Sequence, residues 1–120
     1  MPIQGDKVNK LQHSVVHRLP QCYRWCSGLP GSTIEPVTRN HNHDDDLVAL
    51  KLLSHHGEQA WVVMLIIKDA LAQIQLNCVV LEWQGEPCLF VSRHDEFATT
   101  CRLKNFGVGI AENFVAYPIQ

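Results

Sequence analysis

The chain has 120 residues, of which 46% are hydrophobic and 18% are charged. This length favours one domain, and the hydrophobic fraction is too high for an intrinsically disordered protein. The formal net charge of −2 gives no general attraction to nucleic acid or to an anionic membrane. Such partners would need a local basic patch.

Targeting signals and cysteine count indicate the cellular compartment. The opening residues, MPIQGDKVNKLQHS, contain no apolar signal segment, and the longest apolar run, AWVVMLII (60–67), is too short to span a bilayer. Five cysteines are an odd number, whereas disulfide scaffolds normally use an even one. We therefore expect a cytoplasmic protein whose reduced cysteines pack as small hydrophobic residues.

The first third of the chain has weak structural signals. Residues 1–10 are polar, and we expect them to be flexible. The β-branched residues of LQHSVVHRL (11–19) predict a strand that ends at Pro20. Prolines and glycines predict that residues 20–46 are mostly loop, in which CYRW (22–25) could form a short strand.

From residue 47 the hydrophobic pattern is much clearer. It predicts strands at 47–53, 78–83, 87–92 and 108–111, and helices at 58–75 and about 93–105. The first helix has an apolar stripe with spacings of three and four, formed by Ala60, Val63, Met64, Ile67, Leu71 and Ile74. QGE (84–86) predicts a hairpin turn. Ser92 and Asp95 have the spacing of a capping box, and Gly107 suits a left-handed C-cap.

The order of these elements predicts the fold class. A β-α-β-β-α-β order over residues 47–111 is typical of the ferredoxin-like, split βαβ arrangement, an α/β (α+β) fold. We expect a four-stranded antiparallel sheet with both helices on one face. The N-terminal strand and loop would lie outside this unit, within a single domain that spans residues 11–120.

Alternation along the strands divides their side chains between two faces. A uniformly apolar face should lie under the helices: Val48, Leu50, Leu52, Val79, Leu81, Trp83, Leu89, Val91, Val108 and Ile110. The other face is mixed: Ala49, Lys51, Val80, Glu82, Cys88, Phe90 and Gly109. Either the N-terminal segment covers this mixed face, with Tyr23 and Trp25 near Phe90, or part of it is a docking surface. Phe90, Lys51, Tyr23 and Trp25 are our candidate contact residues, and the lack of a basic cluster disfavours RNA.

The segment HNHDDD (41–46) has potential metal ligands. His41 and His43 offer two imidazoles beside three aspartates, whereas a structural zinc site needs about four converging ligands. A second histidine pair, HH (55–56), lies beyond the strand at 47–53, about 26 Å away if that strand is extended. We therefore predict a hydrated acidic loop and no metal site. No nucleophile–base pair or phosphate-binding loop is evident either, so we expect neither catalytic residues nor a cofactor.

Longer segments carry a family resemblance. HSVVHRLPQCYRW, LVALKLLS and GEPCLFVSRHDEFATTCRLKNFGVGIAE occur in this order and closely resemble the YejG-like family, small uncharacterised proteins of gammaproteobacteria. The resemblance covers roughly residues 12–114, without the first ten residues or the loop at 41–46. It implies a fold similar to domain III of elongation factor G, and it supplies no activity, ligand or catalytic residue.

These observations favour a non-enzymatic cytoplasmic module that binds another macromolecule, either a protein or a ribonucleoprotein. The implied likeness to an elongation-factor domain makes a translation-related partner a hypothesis by fold analogy. One alternative is a small enzyme or metal-dependent protein that uses His41, His43 and a cysteine. Another is a small-molecule binding protein with a pocket between the N-terminal segment and the sheet.

Overall fold

The computed structural model describes residues 11–26, 33–37 and 46–111. The elements in chain order are β1 (Val15–Trp25), β2 (Ile34–Pro36), β3 (Leu47–Leu52), α1 (Gly57–Ala72), β4 (Cys78–Trp83), β5 (Glu86–Ser92), a 3₁₀ turn (Arg93–Asp95), α2 (Glu96–Asn105) and β6 (Gly109–Ala111). The strands form one six-stranded sheet in the order β2-β1-β3-β5-β4, and β6 also pairs with β1. The chain therefore has an α+β fold, and neither described helix is long and apolar enough to cross a membrane.

Strand β1 is longer than the sequence predicts and continues through Pro20. Arg18 pairs with Leu50 and Cys22 pairs with Val48, so the span between these pairs holds two more residues in β1 than in β3. Pro20 lies in this bulge, where its missing N–H does not interrupt a regular ladder. The prediction that the strand ends at Pro20 is therefore wrong, because the bulge accommodates the proline.

The position of β1 changes the expected sheet. Strands β3, β5 and β4 are neighbours in the order that a split βαβ unit requires. In that unit, however, the last strand would pair with β3, whereas β6 pairs with β1 in parallel and β1 pairs with β3. The expectation that the N-terminal segment lies outside a four-stranded sheet is therefore wrong. Because Val16 is fully buried and Tyr23 is 2% exposed, β1 belongs to the interior of the fold.

The two helices cover one face of the sheet. Of the predicted stripe on α1, Ile74 lies beyond the helix end and is exposed, and the other members are buried: Ala60, Val63, Met64, Ile67 and Leu71. They pack with strand residues in the helix-side core, which includes Val16, Leu50, Leu52, Leu89 and Val108. The predicted C-cap Gly107 has the expected positive φ of 83°.

The predicted capping box at the start of α2 does not form. Neither Ser92 nor Asp95 makes a side-chain cap hydrogen bond. The 3₁₀ turn follows Ser92 directly, so α2 begins three residues later than the box requires. Instead, the Thr99 hydroxyl donates a hydrogen bond of 2.8 Å to the carbonyl oxygen of Asp95. This buried hydroxyl is satisfied within the helix.

The opposite face of the sheet holds a second core, which we call the aromatic cluster. Its buried members are Tyr23, Leu47, Ala49, Cys88 and Phe90, and the partly buried residues packed against them are Leu19, Trp25, Ile34, Val79, Leu81 and Trp83. The ring of Tyr23 meets Trp83 and Phe90 edge to face, at centroid distances of 5.1 and 5.5 Å. Strands β1 and β4 would be about 14 Å apart in a flat sheet. The Tyr23–Trp83 contact therefore reflects a sheet that curls around this face.

Side chains of β4 face the opposite way from the prediction. Val79, Leu81 and Trp83 pack in the aromatic cluster, whereas Cys78 and Val80 pack against the helix-side core. The reason is the hairpin turn. Trp83 pairs with Glu86, so the turn has two residues rather than the predicted three. A shift of one residue in register moves every side chain of a strand to the other face.

The aromatic cluster gives a direct test of the fold. Because Phe90 is fully buried, we expect Phe90→Ala to lower the free energy of unfolding by about 3–5 kcal/mol in urea denaturation. Phe97 is 79% exposed and serves as the matched control. Phe97→Ala should change that free energy by less than about 0.5 kcal/mol. Equal effects of the two substitutions would contradict the assignment of Phe90 to a core.

Candidate binding cleft

A cleft of about 560 Å³ opens where β1, β6 and the start of α2 meet. Strand β1 contributes residues at its bulge, the 3₁₀ turn and α2 form one wall, and the end of β6 closes the other side. The lining residues are Arg18, Pro20, Arg93, His94, Glu96, Phe97, Thr100, Ile110 and Ala111. Residues distant in sequence meet here because β1 lies between β3 and β6.

An ion pair links the two walls of the cleft. Arg18 Nε donates a hydrogen bond of 2.6 Å to Glu96 Oε2, and the two side chains are each 31% exposed. Arg18 Nη1 also donates to the carbonyl oxygen of Leu19 at 3.2 Å. A charge-assisted hydrogen bond of this length fixes the direction of both side chains. Arg18 and Glu96 thus cancel each other's charge and hold β1 against α2.

The remaining charge in the cleft is positive. The Arg93 backbone N–H donates to the carbonyl oxygen of Asp46 at 2.8 Å, which anchors the 3₁₀ turn to the start of β3. Its guanidinium forms no hydrogen bond or ion pair with any residue that the structure describes. Next to it, His94 Nε2 lies 3.6 Å from Asp95 Oδ1. Arg93 is therefore available to bind an anionic group.

Apolar side chains line the same cleft as this cation. Phe97 is 79% exposed, more than any other large hydrophobic residue in the described parts of the chain. Pro20, Ile110 and Ala111 line the same cleft. Aromatic and arginine side chains are enriched at the energetically important positions of binding interfaces. This arrangement can hold a ligand that combines an anionic group with an apolar one.

The four contact residues proposed from the sequence do not line the cleft. Phe90 is fully buried and Tyr23 is 2% exposed, so neither side chain is on the accessible surface. Their predicted proximity is confirmed by the ring contact, and Trp25 packs against the same cluster. Trp25 and Lys51 are partly exposed. A contact role for these two residues stays a prediction.

Sequence reasoning missed Arg93 and Phe97. The run RHDEF (93–97) falls at the start of the helix predicted over about 93–105, with Asp95 in the predicted capping box, and this local role gives no sign of a site. Helical spacing could have indicated Phe97. The buried residues of α2 are Thr99 and Leu103, and a residue two positions before Thr99 points to the opposite side of the helix. An aromatic residue placed there cannot reach the core.

The histidines and aspartates show no metal centre in the described ranges. Residues 11–26, 33–37 and 46–111 contain no group of three or more histidine, cysteine or acidic side chains that could hold a metal ion. His41, His43, Asp44 and Asp45 lie outside the described residues. His55 Nδ1 is 2.8 Å from the Ser54 hydroxyl, which accepts a hydrogen bond from the backbone of Val15. His55 therefore belongs to the connection between the end of β3 and the start of β1.

Two of the cysteines, Cys78 and Cys88, are poorly suited to act as nucleophiles. All five are free thiols. Burial raises the pKa of the Cys88 thiol to about 11, although the neighbouring Lys51 opposes the rise. Burial also raises the pKa of Cys78. A reactive cysteine needs a lowered pKa, because the thiolate is the nucleophile.

Comparison with known proteins places the chain in a family. The fold and the cleft define a small α+β protein with an open groove beside strand β1. The chain belongs to the YejG-like protein family, whose model matches residues 11–115. Two proteins called "Uncharacterized protein YejG", from Escherichia coli and Shigella flexneri, are 59% identical to it over 111 residues, which cover 92% of this chain and 97% of theirs.

A solved structure shares the architecture at low sequence identity. The crystal structure of protein Atu0741 from Agrobacterium tumefaciens, a structural genomics target, is similar with a TM-score of 0.59. The likeness covers 88% of this chain and 98% of that one, at 12% identity. At this identity the similarity supports the fold alone.

The buried thiol predicts how stability depends on pH. Because the folded pKa of Cys88 is about 11 and its ordinary value is 9.0, the protein favours the neutral thiol. That contribution is fully present below about pH 9 and is lost as the pH rises towards 11. We expect the free energy of unfolding of Cys88→Ala to fall less between pH 9 and 11 than that of the wild type, as measured by urea denaturation. Cys101→Ala, at an exposed site, should keep the wild-type slope, and an identical slope for all three proteins would contradict the prediction.

Proposed function

We propose that this protein is a non-enzymatic cytoplasmic interaction module whose cleft binds a segment of another protein. The segment would carry an acidic side chain next to an apolar one. The observation that carries this proposal is an exposed Phe97 in the same cleft as the Arg93 guanidinium, which has no partner among the described residues. Both side chains line one cleft.

The energetics of the two groups favour a protein ligand. Full burial of a phenylalanine side chain contributes about 1.5–3 kcal/mol. Arg93 can bind a carboxylate through two parallel hydrogen bonds, which also fixes the orientation of the ligand. The carboxylate of Glu96 would not repel such a ligand strongly, because Arg18 already pairs with it. Arg93 would thus bind the acidic side chain of an amphipathic segment, and Phe97 would bind the apolar side chain next to it.

The non-enzymatic part of the proposal rests on the chemistry of the cleft. Of its potential acid–base groups, Glu96 is paired with Arg18, and His94 Nε2 lies 3.6 Å from Asp95 Oδ1. The nucleophilic side chain with the largest pKa change, Cys88, lies in the aromatic cluster and is fully buried. Catalysis would require a nucleophile and a base within hydrogen-bonding reach of a bound substrate.

A small-molecule ligand is the second candidate function, favoured by the size of the cleft. Small-molecule pockets typically measure about 300–1,000 Å³, and this cleft of about 560 Å³ lies in that range. The pocket predicted from the sequence lay between the N-terminal segment and the sheet, whereas this cleft lies between β1, which is a strand of the sheet, and α2. An anionic compound with an apolar body would meet the same two groups, Arg93 and Phe97.

The hypothesis of a translation-related partner rests on fold analogy. The order β3-β5-β4 under α1 is compatible with the split βαβ unit on which the likeness to domain III of elongation factor G depends. The pairing of β6 with β1 departs from that unit. Co-sedimentation with ribosomes at physiological salt tests the hypothesis, and absence from every ribosomal fraction would reject it.

The metal-dependent alternative depends on His41 and His43, which lie outside the described residues. Metal analysis of the untagged, chelator-washed protein distinguishes this alternative from the interaction module. A stoichiometric ion would favour the alternative.

The cleft can be tested by photo-crosslinking in cells. We expect a photoreactive phenylalanine analogue at position 97 to give a discrete adduct with another protein, because this side chain would be buried in the complex. Arg93→Glu should reduce the adduct at least tenfold, since it replaces the cation that would bind the ligand's acidic side chain with an anion. Lys104→Glu makes the same charge change at an exposed position of α2 and should leave the adduct unchanged.

Two outcomes decide between the candidate functions. No protein adduct, together with a small molecule that co-purifies with the wild type and is lost in Arg93→Glu, would favour the small-molecule function. If neither a protein adduct nor a bound compound depends on Arg93, the cleft is not the binding site and the proposal fails.

A further inference from the structure

Strand β4 forms an edge of the sheet on the side away from the cleft. Within the described parts of the chain, β4 pairs with β5 and no strand pairs with its outer edge. The pairing with β5 is regular along all six residues, from Cys78–Val91 to Trp83–Glu86. Exposed edges are normally protected by proline, lysine, a bulge or a short length. The sequence of β4, CVVLEW, has no proline, lysine or bulge, and its one charged residue is Glu82.

The hairpin turn determines which backbone groups of β4 are free. A two-residue turn makes the flanking pair, Trp83 and Glu86, a hydrogen-bonded pair, and such pairs alternate along an antiparallel ladder. The backbone groups of Val79 and Leu81 therefore also point towards β5. Those of Cys78, Val80 and Glu82 point outwards. Pro87 fits this assignment, because it lies opposite Glu82, where no hydrogen bond to β5 is required.

We propose that β4 pairs antiparallel with β4 of a second copy of this chain, so that two sheets join into one about a twofold axis at Val80. In this register Val80 opposes the partner's Val80, and Cys78 opposes the partner's Glu82. Each opposed pair exchanges two backbone hydrogen bonds, because these are the residues whose N–H and C=O groups point outwards. The outward-pointing groups of one strand thus find matching partners on the other.

The same register matches the side chains. Val79 opposes the partner's Leu81 on the concave side, so apolar groups meet at short cross-strand distance. Cys78 and Val80 meet residues on the helix side, because side chains that oppose each other in an antiparallel pair share a face. If the register slipped by one residue, side chains on the helix side of one copy would oppose side chains on the concave side of the other.

Charges across the proposed interface are complementary. Burial raises the pKa of the Cys78 thiol, and the ammonium group of Lys68 partly offsets the rise, so Lys68 lies near the start of β4. Because the partner's Glu82 would lie opposite Cys78, its carboxylate would come close to Lys68. The twofold axis repeats this ion pair on the other side of the interface. A partner strand with a different charge pattern would lack both pairs.

The outer side of α1 supports a second copy as the occupant. Arg102 of α2 donates hydrogen bonds to the carbonyl oxygen of Ala70 and to Gln73 Oε1, so α2 packs on one side of α1. The other side, above the β4 edge, includes Lys68. Helical spacing of four and three places Trp61 and Leu65 in the same stripe as Lys68. Leu65 is 51% exposed and Trp61 is 36% exposed, although both are large and apolar.

In the proposed dimer these side chains would be covered. Helix α1 packs over β4 and β5. With strands about 4.8 Å apart, a helix axis midway between β4 and β5 would lie roughly 10 Å from the partner's α1, which is the usual distance between packed helices. The two α1 helices would run antiparallel across the axis. The exposed stripe of α1 and the free edge of β4 thus form one continuous surface.

Sedimentation of the full-length, untagged protein tests the dimer. At about 100 μM we expect a mass of twice the 13.6 kDa of the chain. Glu82→Lys and Lys68→Glu should each raise the dissociation constant of the dimer roughly five- to tenfold, because two exposed ion pairs are replaced by repulsion. The double substitution should restore the wild-type dissociation constant. Glu35→Lys, at an exposed position of β2, is the matched control and should have no effect.

A backbone substitution tests the same edge independently. Val80→Pro removes an outward-pointing N–H at the twofold axis and leaves the hydrogen bonds to β5 in place. We expect it to raise the dissociation constant more than a hundredfold, with circular dichroism as the check on folding. If Val80→Pro does not fold, the dissociation constants of Glu82→Lys, Lys68→Glu and the double variant test the dimer instead. A monomeric wild type at 100 μM, or a dimer that does not respond to Glu82→Lys and Lys68→Glu, would overturn the proposal.

Discussion

The edge-to-face contacts of Tyr23 with Trp83 and Phe90 are the interaction on which the rest of this structure depends. They connect β1 to β4 and β5 across the concave face, and they therefore require the sheet to curl. Such ring pairs contribute about 0.5–1.5 kcal/mol beyond the burial of their surface. The larger effect is geometric, since the contacts keep β1 as an inner strand of the sheet. Once β1 is inside, both of its edges are available to β3 and to the short strands β2 and β6.

The cleft is a consequence of this arrangement. The bulge of β1 allows the strand to continue past Pro20, and it presents Arg18 to the start of α2. Strand β6 lies beside the first part of β1 and closes the groove. The bond from Arg93 to Asp46 holds the 3₁₀ turn, so Phe97 is kept at the rim rather than in the core. The proposed binding function and the proposed dimer use different edges of one sheet, and a dimer through β4 would leave both clefts open.

The sequence predicts the local parts of the structure well. The stripe on α1 follows a helical period over several turns, and the helix-side core contains those residues. The C-cap at Gly107 is equally local, because a positive φ strongly favours glycine. The errors arise where distant segments meet. The choice between a two- and a three-residue turn at QGE reverses every side chain of β4, and nothing within that strand distinguishes the two registers.

The position of β1 and the assembly of the cleft also depend on contacts between distant segments. The pairing of Val16 with Leu52 carries no signal in either segment, because both are simply apolar residues of strands. Arg93 and Phe97 have a sufficient local explanation as part of a helix start, and they become a site only when the β1 bulge is placed next to them. The contact between Tyr23 and Phe90 was predicted as a cover over the sheet, whereas it lies within the curl of the sheet itself.

Hydrogen–deuterium exchange of the β1 backbone tests the central role of this strand most directly. If β1 is an inner strand held by the aromatic cluster, its amides that bond to β3 should exchange as slowly as those of β5, through global unfolding. Rapid exchange along β1 while β3 and β5 remain protected would contradict the account, because the N-terminal strand would then lie outside a smaller sheet.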